Sequence, residues 1–168
     1  MKALIMAGGR GTRIGNPEKC LIVIGNRSLL DRNISLLRRY TSSIYVSVRD
    51  GMAATQREAM TRNAVIIKTE GSGYVSDLNT CLSFIGSFPI LVIPGDIYVT
   101  DEKIFDSYVR KAAESNYDII NFKLNGDFTG LSFFNKRSGS YIDMQFSGGI
   151  ANINTPEDLE KAEKFNLQ

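Results

Sequence analysis

Residues 1–21 read MKALIMAGGRGTRIGNPEKCL, and their reading decides the fold. "KALIM" is a short apolar run of the kind that forms a buried strand. It empties at once into residues 7–16, four of which are glycine, with Arg10, Arg13 and Lys19 in or just after them. Glycines let a backbone curl around an anion and present its N–H groups. Arg10 and Arg13 can clamp phosphate oxygens through their planar forks, and Lys19 brings a compact charge. The plain alternative is a glycine-rich turn with solvated basic residues. Three cations with four glycines directly after a first strand favour phosphate. Two common phosphate loops are missed. Ile14 stands where the third glycine of GxGxxG belongs, and no glycine directly precedes Lys19 as a P-loop requires.

Outward from this loop, apolar runs and amphipathic segments alternate. "SLLDRNISLLRRY" predicts a helix with Ser28 as N-cap and Leu30, Ile34 and Leu37 on one face. "SIYVSV" and "AVIIK" are strands, with "MAATQREAMTR" a helix between them. "YVSDLNTCLSFI" predicts a helix with Val75, Leu78, Leu82 and Ile85 on one side and Cys81 buried beside them. "FPILVIP", apolar throughout, fits a central strand covered on both faces. "DEKIFDSYVRKAAE" is helical and "DIINFKL" a strand. Residues 125–149 look glycine-rich and irregular, with hairpin-like pieces around "LSFFN". "GIANIN" is a last strand. "TPEDLEKAEKF" closes the chain as a helix, with Thr155 as N-cap and Pro156 at the first helical position. This alternation predicts a single α/β domain over residues 1–168, a three-layer sandwich with a mainly parallel sheet. Ligands of such sheets bind beyond the carboxyl ends of the strands. The loops "AGGRGTRIGNPEK", "TEGSGY", "GD" and "NT" are therefore the expected seat of function.

The totals narrow the chemistry. The chain has 168 residues, 43% of them apolar and 23% charged, with no run long enough to cross a bilayer. "MKALIMAGG" lacks the length and flanks of a signal peptide, so a cytoplasmic protein is the expectation. Cys20 and Cys81 lack zinc spacing. There is no histidine, which excludes Ser-His-Asp and Cys-His nucleophile systems. Chemistry must run on Asp, Glu, Lys, Arg and backbone amides, with or without a hard metal. Residues 1–50 carry a net +6 and residues 51–168 a net −4. A basic N-terminal third suits an anionic ligand, whereas no Lys/Arg run or aromatic motif points to nucleic acid.

"LIMAGGRGTRIG…EK" resembles the signature of the nucleotidyltransferases of Rossmann-like, glycosyltransferase-A-like fold. That group holds sugar-nucleotide pyrophosphorylases and molybdenum-cofactor guanylyltransferases. "TEGSGYVSDLNTCL", the strand ending in "GDI" and "NINTPEDLEKAE" are similar to a narrower set, the archaeal-type GTP:adenosylcobinamide-phosphate guanylyltransferases. The similarity covers most of residues 1–100 and 148–164. Two departures stand out. Cys20 occupies a position where the family usually has proline, and the region between Lys123 and Gly149 looks short for an acceptor side.

The resemblance implies transfer of GMP from GTP to a corrinoid phosphate, with a divalent cation such as Mg²⁺; the alternatives are a molybdenum-cofactor guanylyltransferase, which shares donor and loop, and a GTP-binding module without transferase activity. An acceptor phosphate is already ionised and needs no general base, so positioning and charge stabilisation carry the rate. Lys19 is the first choice for catalysis, with Arg13 and Asp96 beside it. Residues Ala7, Gly8, Gly9, Arg10, Gly11, Thr12 and Arg13 form the nucleotide loop, joined by Lys19 and Asp96. Asp96, at a strand end, either holds the metal or makes an N-cap or Asx-turn. Gly71 and Gly73 permit close approach to a base or ribose. Asp77 and Asn79 either contact the nucleoside or face solvent. Asn154 either completes the metal or acceptor site or helps cap the final helix, and Asn152 points the same way. Gly130, Gly148 and Gly149 fall on the acceptor side. Phe128, Phe133, Phe134, Tyr141 and Phe146 either wall an acceptor pocket or belong to ordinary core.

Overall fold

The structure, a computed structural model, describes residues 1–9, 11 and 15–166. The chain starts with β1 (Lys2–Met6) and reaches a 3₁₀ turn at Lys19–Leu21. A small ladder of β2 (Val23–Ile24) and β3 (Arg27–Ser28) leads into α1 (Leu29–Leu37). Next come β4 (Ile44–Val48), α2 (Ala53–Thr61), β5 (Val65–Lys68), α3 (Tyr74–Ile85) and β6 (Ile90–Pro94). The second half holds β7 (Ile97–Val99), α4 (Glu102–Ala113), β8 (Ile119–Leu124), β9 (Asp127–Phe134), β10 (Tyr141–Phe146), β11 (Ile150–Asn152) and α5 (Pro156–Asn166).

Seven strands form the main sheet in the order β10-β8-β9-β6-β1-β4-β5. β1 runs parallel to β4 and β6, and β4 parallel to β5. These four strands therefore deliver their C-terminal loops to one edge. The two-residue period of a strand splits β1 cleanly. Ala3 and Ile5 join a core with α1, α2 and α4, while Leu4 and Met6 join a second core under α3. β6 divides the same way, and all five of its residues are buried, as its unbroken apolar run predicts. Ser28 caps α1 by accepting from the Asp31 amide, 2.9 Å away. The expected mainly parallel α/β sandwich is the observed one. Among the described residues no helix is long and apolar enough to cross a membrane.

Three expectations change. Residues 125–149 are not irregular: they hold the eight-residue β9 and the six-residue β10. β9 inserts antiparallel between β6 and β8, and pairing with two strand neighbours overrides the irregular signal of the glycines in residues 125–149. "GIANIN" does make a strand, but β11 pairs with β7 outside the main sheet. β7 itself is hidden in sequence, being three residues long directly after a turn. Val75 does not join the buried face of α3, because the helix covers the sheet with Leu78, Cys81, Leu82 and Ile85 and leaves Val75 outward.

Candidate active site

The loops at the C-terminal edge enclose a cleft of about 420 Å³, a volume within the range of small-ligand sites. One wall is Ala7, Gly8 and Gly9 after β1, with Ser47 at the end of β4. A second is Gly71, Gly73, Tyr74 and Asp77 between β5 and α3. The floor carries Pro94, Gly95 and Asp96 after β6, and the lining continues through Phe128, Thr129 and Gly130 of β9 to Asn152 and Asn154. Lys19 and Cys20 close the circuit.

The first and third loops touch because residue 95 has no side chain. The Gly95 amide donates to the Met6 carbonyl at 2.9 Å, and a Cβ on Gly95 would stand 3.1 Å from the Ala7 Cα. Asp96 follows directly. Its carbonyl accepts from the Ile153 amide at 2.9 Å, tying the β11 end to the same floor. Its carboxylate makes no helix cap, a task that Asp101 performs for α4, and instead pairs with the Lys19 ammonium. The side chains of Lys19 and Asp96 are only 18% and 11% exposed, so water screens the pair weakly. The Asn154 Oδ1 accepts from the same ammonium at 3.2 Å.

Lys19 is placed from both sides. The Glu18 carboxylate accepts from the Thr55 amide and hydroxyl at the first turn of α2. Cys20 Sγ lies 3.5 Å from the same Thr55 hydroxyl. Both sequence neighbours of Lys19 are thus pinned to one fully buried residue. Burial pushes the Cys20 thiol up to about 11, so it stays a neutral packing group at the position where proline was expected.

Asn154 does join the cap of the final helix, and through a different atom it also meets Lys19. Its amide N–H donates to the Asp158 carboxylate at 3.0 Å, alongside that of Thr155 at 2.9 Å, in the cap of α5. Burial works against the charge on Asp158, but these two amides and the Thr155 hydroxyl hold its carboxyl below the usual range. The Asn154 side chain stays free for Lys19. Asn152 also lines the cleft, as strand alternation requires.

Asp77 is buried, not solvent-facing. It accepts from the Gly71 amide at 3.2 Å and so braces the turn that Gly71 enters with a φ of +70°. Asn79 instead lies exposed outside the cleft, one helix position from the face that Leu78 packs. Gly11 is not in the cleft wall: its carbonyl accepts from the Asn16 amide at 3.2 Å and closes the glycine loop. Arg10, Thr12 and Arg13 lie outside the described residues. Gly149 packs against Ile104 and caps the chain before α4, away from the cleft, and Gly148 does not line it either. Of the five aromatics only Phe128 lines the cleft. Phe133 and Phe134 are core, Phe146 stacks on Phe122, and Tyr141 is exposed on β10.

Ser47, Tyr74, Gly95 and Thr129 were not singled out by sequence reasoning. Gly95 and Tyr74 had a signal, since they stand in the loops "GD" and "TEGSGY" where function was expected. Tyr74 donates its hydroxyl to the Gly130 carbonyl at 2.8 Å and ties α3 to β9. That contact joins residues 56 apart and has no local signature.

The oxygens of Asp96 and Asn154 fit a hard cation in kind, and the Lys19 ammonium between them marks a point where positive charge is held. Among the described residues no three His, Cys, Asp or Glu could hold an ion together. A cation here would draw its other ligands from substrate oxygens and water, as Mg²⁺ usually does.

Comparison with known proteins agrees with this architecture. The adenosylcobinamide-phosphate guanylyltransferase of Methanocaldococcus jannaschii is 32% identical over 189 aligned residues, covering 97% of this chain and 96% of that protein. A Neisseria meningitidis serogroup B protein named for molybdenum cofactor guanylyltransferase activity is 25% identical, covering 95% of this chain and 97% of its own. The solved CTP:phosphocholine cytidylyltransferase of Streptococcus pneumoniae shares the fold, with a TM-score of 0.76 at 14% identity over 99% of both chains. The MobA-like NTP transferase domain matches residues 3–148, and with that span and these relatives the chain belongs to the MobA-like NTP transferase family of nucleotidyltransferases.

Proposed function

We propose that the protein transfers GMP from GTP to the phosphate of a corrinoid, adenosylcobinamide phosphate, releasing pyrophosphate. The observation that carries this reading is the meeting of Lys19, Asp96 and Asn154 beside a glycine loop. It is supported by a relative of that name that aligns along nearly the whole chain.

In the reaction an acceptor phosphate oxygen attacks the α-phosphorus of GTP. The new P–O bond forms as the bond to the β-phosphate oxygen breaks, and the electron pair leaves with pyrophosphate. The nucleophile is already ionised, which agrees with a chain without histidine. Ala7, Gly8 and Gly9 offer backbone to the phosphates, with Gly11 and Thr12 in the same loop. Arg10 and Arg13 hold β- and γ-phosphate oxygens. Lys19 neutralises charge growing on the α-phosphoryl group and the leaving pyrophosphate. Gly71, Gly73 and Asp77 shape the nucleoside wall. Asp96 and Asn154 would hold Mg²⁺, which when bound supplies charge neutralisation to the phosphate oxygens.

The test is pyrophosphate release from GTP and Mg²⁺ with adenosylcobinamide phosphate, with ATP as donor control. Release that needs both GTP and this acceptor is expected. GTP binding without release overturns the acceptor. A molybdenum-cofactor precursor is then the acceptor to try, since the Neisseria relative bears that name.

A further inference from the structure

Three consecutive residues of β9, Phe128, Thr129 and Gly130, line the cleft together. A regular strand cannot do this, because successive side chains point to opposite faces. Two local features break the alternation. The β8–β9 register shifts between Asn121 and Lys123. Gly130 adopts a φ of +81°, and a Cβ there would stand 2.8 Å from Pro94 Cγ. Irregularities of this kind beside a site re-aim a side chain. The one re-aimed here is Phe128.

Phe128 is 64% exposed, yet its ring is held in place. Lys123, its cross-strand partner, sets its ammonium 4.1 Å from the ring centroid. Asp143 on β10 fixes that ammonium through an ion pair of 2.9 Å and is itself held by the Asn121 amide at 3.1 Å. The cation covers one face of the ring. No other aromatic ring stacks on Phe128 among the described residues. Three charged and polar side chains thus brace one aromatic whose remaining surface is left to the cleft. It lines the cleft from β9, the strand that Tyr74 reaches from α3 through the Gly130 carbonyl at 2.8 Å.

We infer that Phe128 is the platform on which the acceptor's conjugated ring system rests, and that it sets acceptor specificity. This rests on the function proposed above. Phe128 touches the acceptor's body rather than its phosphate, so it binds and positions without entering the bond changes. Contacts of aromatic faces with flat ring systems are strong enough to be read in kinetics.

The experiment compares the full-length protein with Phe128→Ala and Phe128→Tyr. It measures KM for adenosylcobinamide phosphate by pyrophosphate release and GTP affinity by calorimetry. Phe128→Ala is expected to raise the acceptor KM about tenfold or more, and Phe128→Tyr to restore most of it. GTP affinity should stay within about twofold. An unchanged acceptor KM in Phe128→Ala overturns the inference. So does a loss that appears in GTP affinity instead, which would make the ring a support for the donor base. Wild-type protein inert toward the corrinoid phosphate overturns the function itself and the platform with it, a result distinct from the other two.

Discussion

The Lys19 ammonium and the Asp96 carboxylate, 77 residues apart in the chain, meet as an ion pair on the floor of the cleft. Asn154, 135 residues from Lys19, shares that ammonium. One point thus gathers the turn after the glycine loop, the end of β6 and the start of the α5 cap.

Lys19→Ala should lower turnover by more than about a hundredfold, because preorganised charge stabilisation of this kind supplies several kcal/mol. Pyrophosphate release at saturating GTP and acceptor measures it. Near-normal turnover would remove Lys19 from catalysis.

Asp96→Asn keeps the shape of the side chain and removes its charge. The Mg²⁺ concentration that gives half-maximal activity should rise about tenfold or more, since a carboxylate is the harder and more strongly bound ligand. A magnesium titration that overlays the wild-type curve would defeat the ligand assignment.

Gly95→Ala tests the close approach of two loops. The added Cβ would lie 3.1 Å from Ala7 Cα and 3.2 Å from the Met6 carbonyl, both backbone atoms with little room to yield. A loss of about 1–3 kcal/mol is expected from chemical denaturation, as for other overpacked positions. Activity should fall further than stability, because the same shift displaces Asp96 from Lys19.

Asp118 supplies a pH-dependent part of stability. The Lys136 ammonium, the Ser140 amide and the Ser140 hydroxyl hold its carboxyl down at about 2. A folded-state value below the unfolded one stabilises above the unfolded value, near 3.9, and is lost as pH falls toward the folded value. The stability difference between wild type and Asp118→Asn should therefore be constant above about pH 5 and shrink as acid is added. Denaturant titrations across that range check it, and a difference independent of pH would refute it.

Local chemistry made much of this legible in the sequence. The helix starts at Ser28 and Thr155 follow from side chains that bond amides three residues on. The central place of β6 follows from its apolar run, and the aim of the first loop from glycine and charge in one short stretch. What sequence reading missed depends on partners far along the chain. β9 became a long inner strand because β6 and β8 flank it. Four of five aromatics went to core or surface while the register shift turned Phe128 to the cleft.

The sequence by itself determined the alternation of strands and helices, the glycine loop and the candidate residues Lys19, Asp96 and Asn154, because periodicity, capping and composition act over a few residues. Only the tertiary structure decided that Thr55 anchors both neighbours of Lys19, that Asp77 braces the Gly71 turn and that Phe128, of the five aromatics of residues 128–146 named from sequence, lines the site. Those relations are set by strand order and packing, where contacts between distant residues are fixed only once the sheet closes around its two cores.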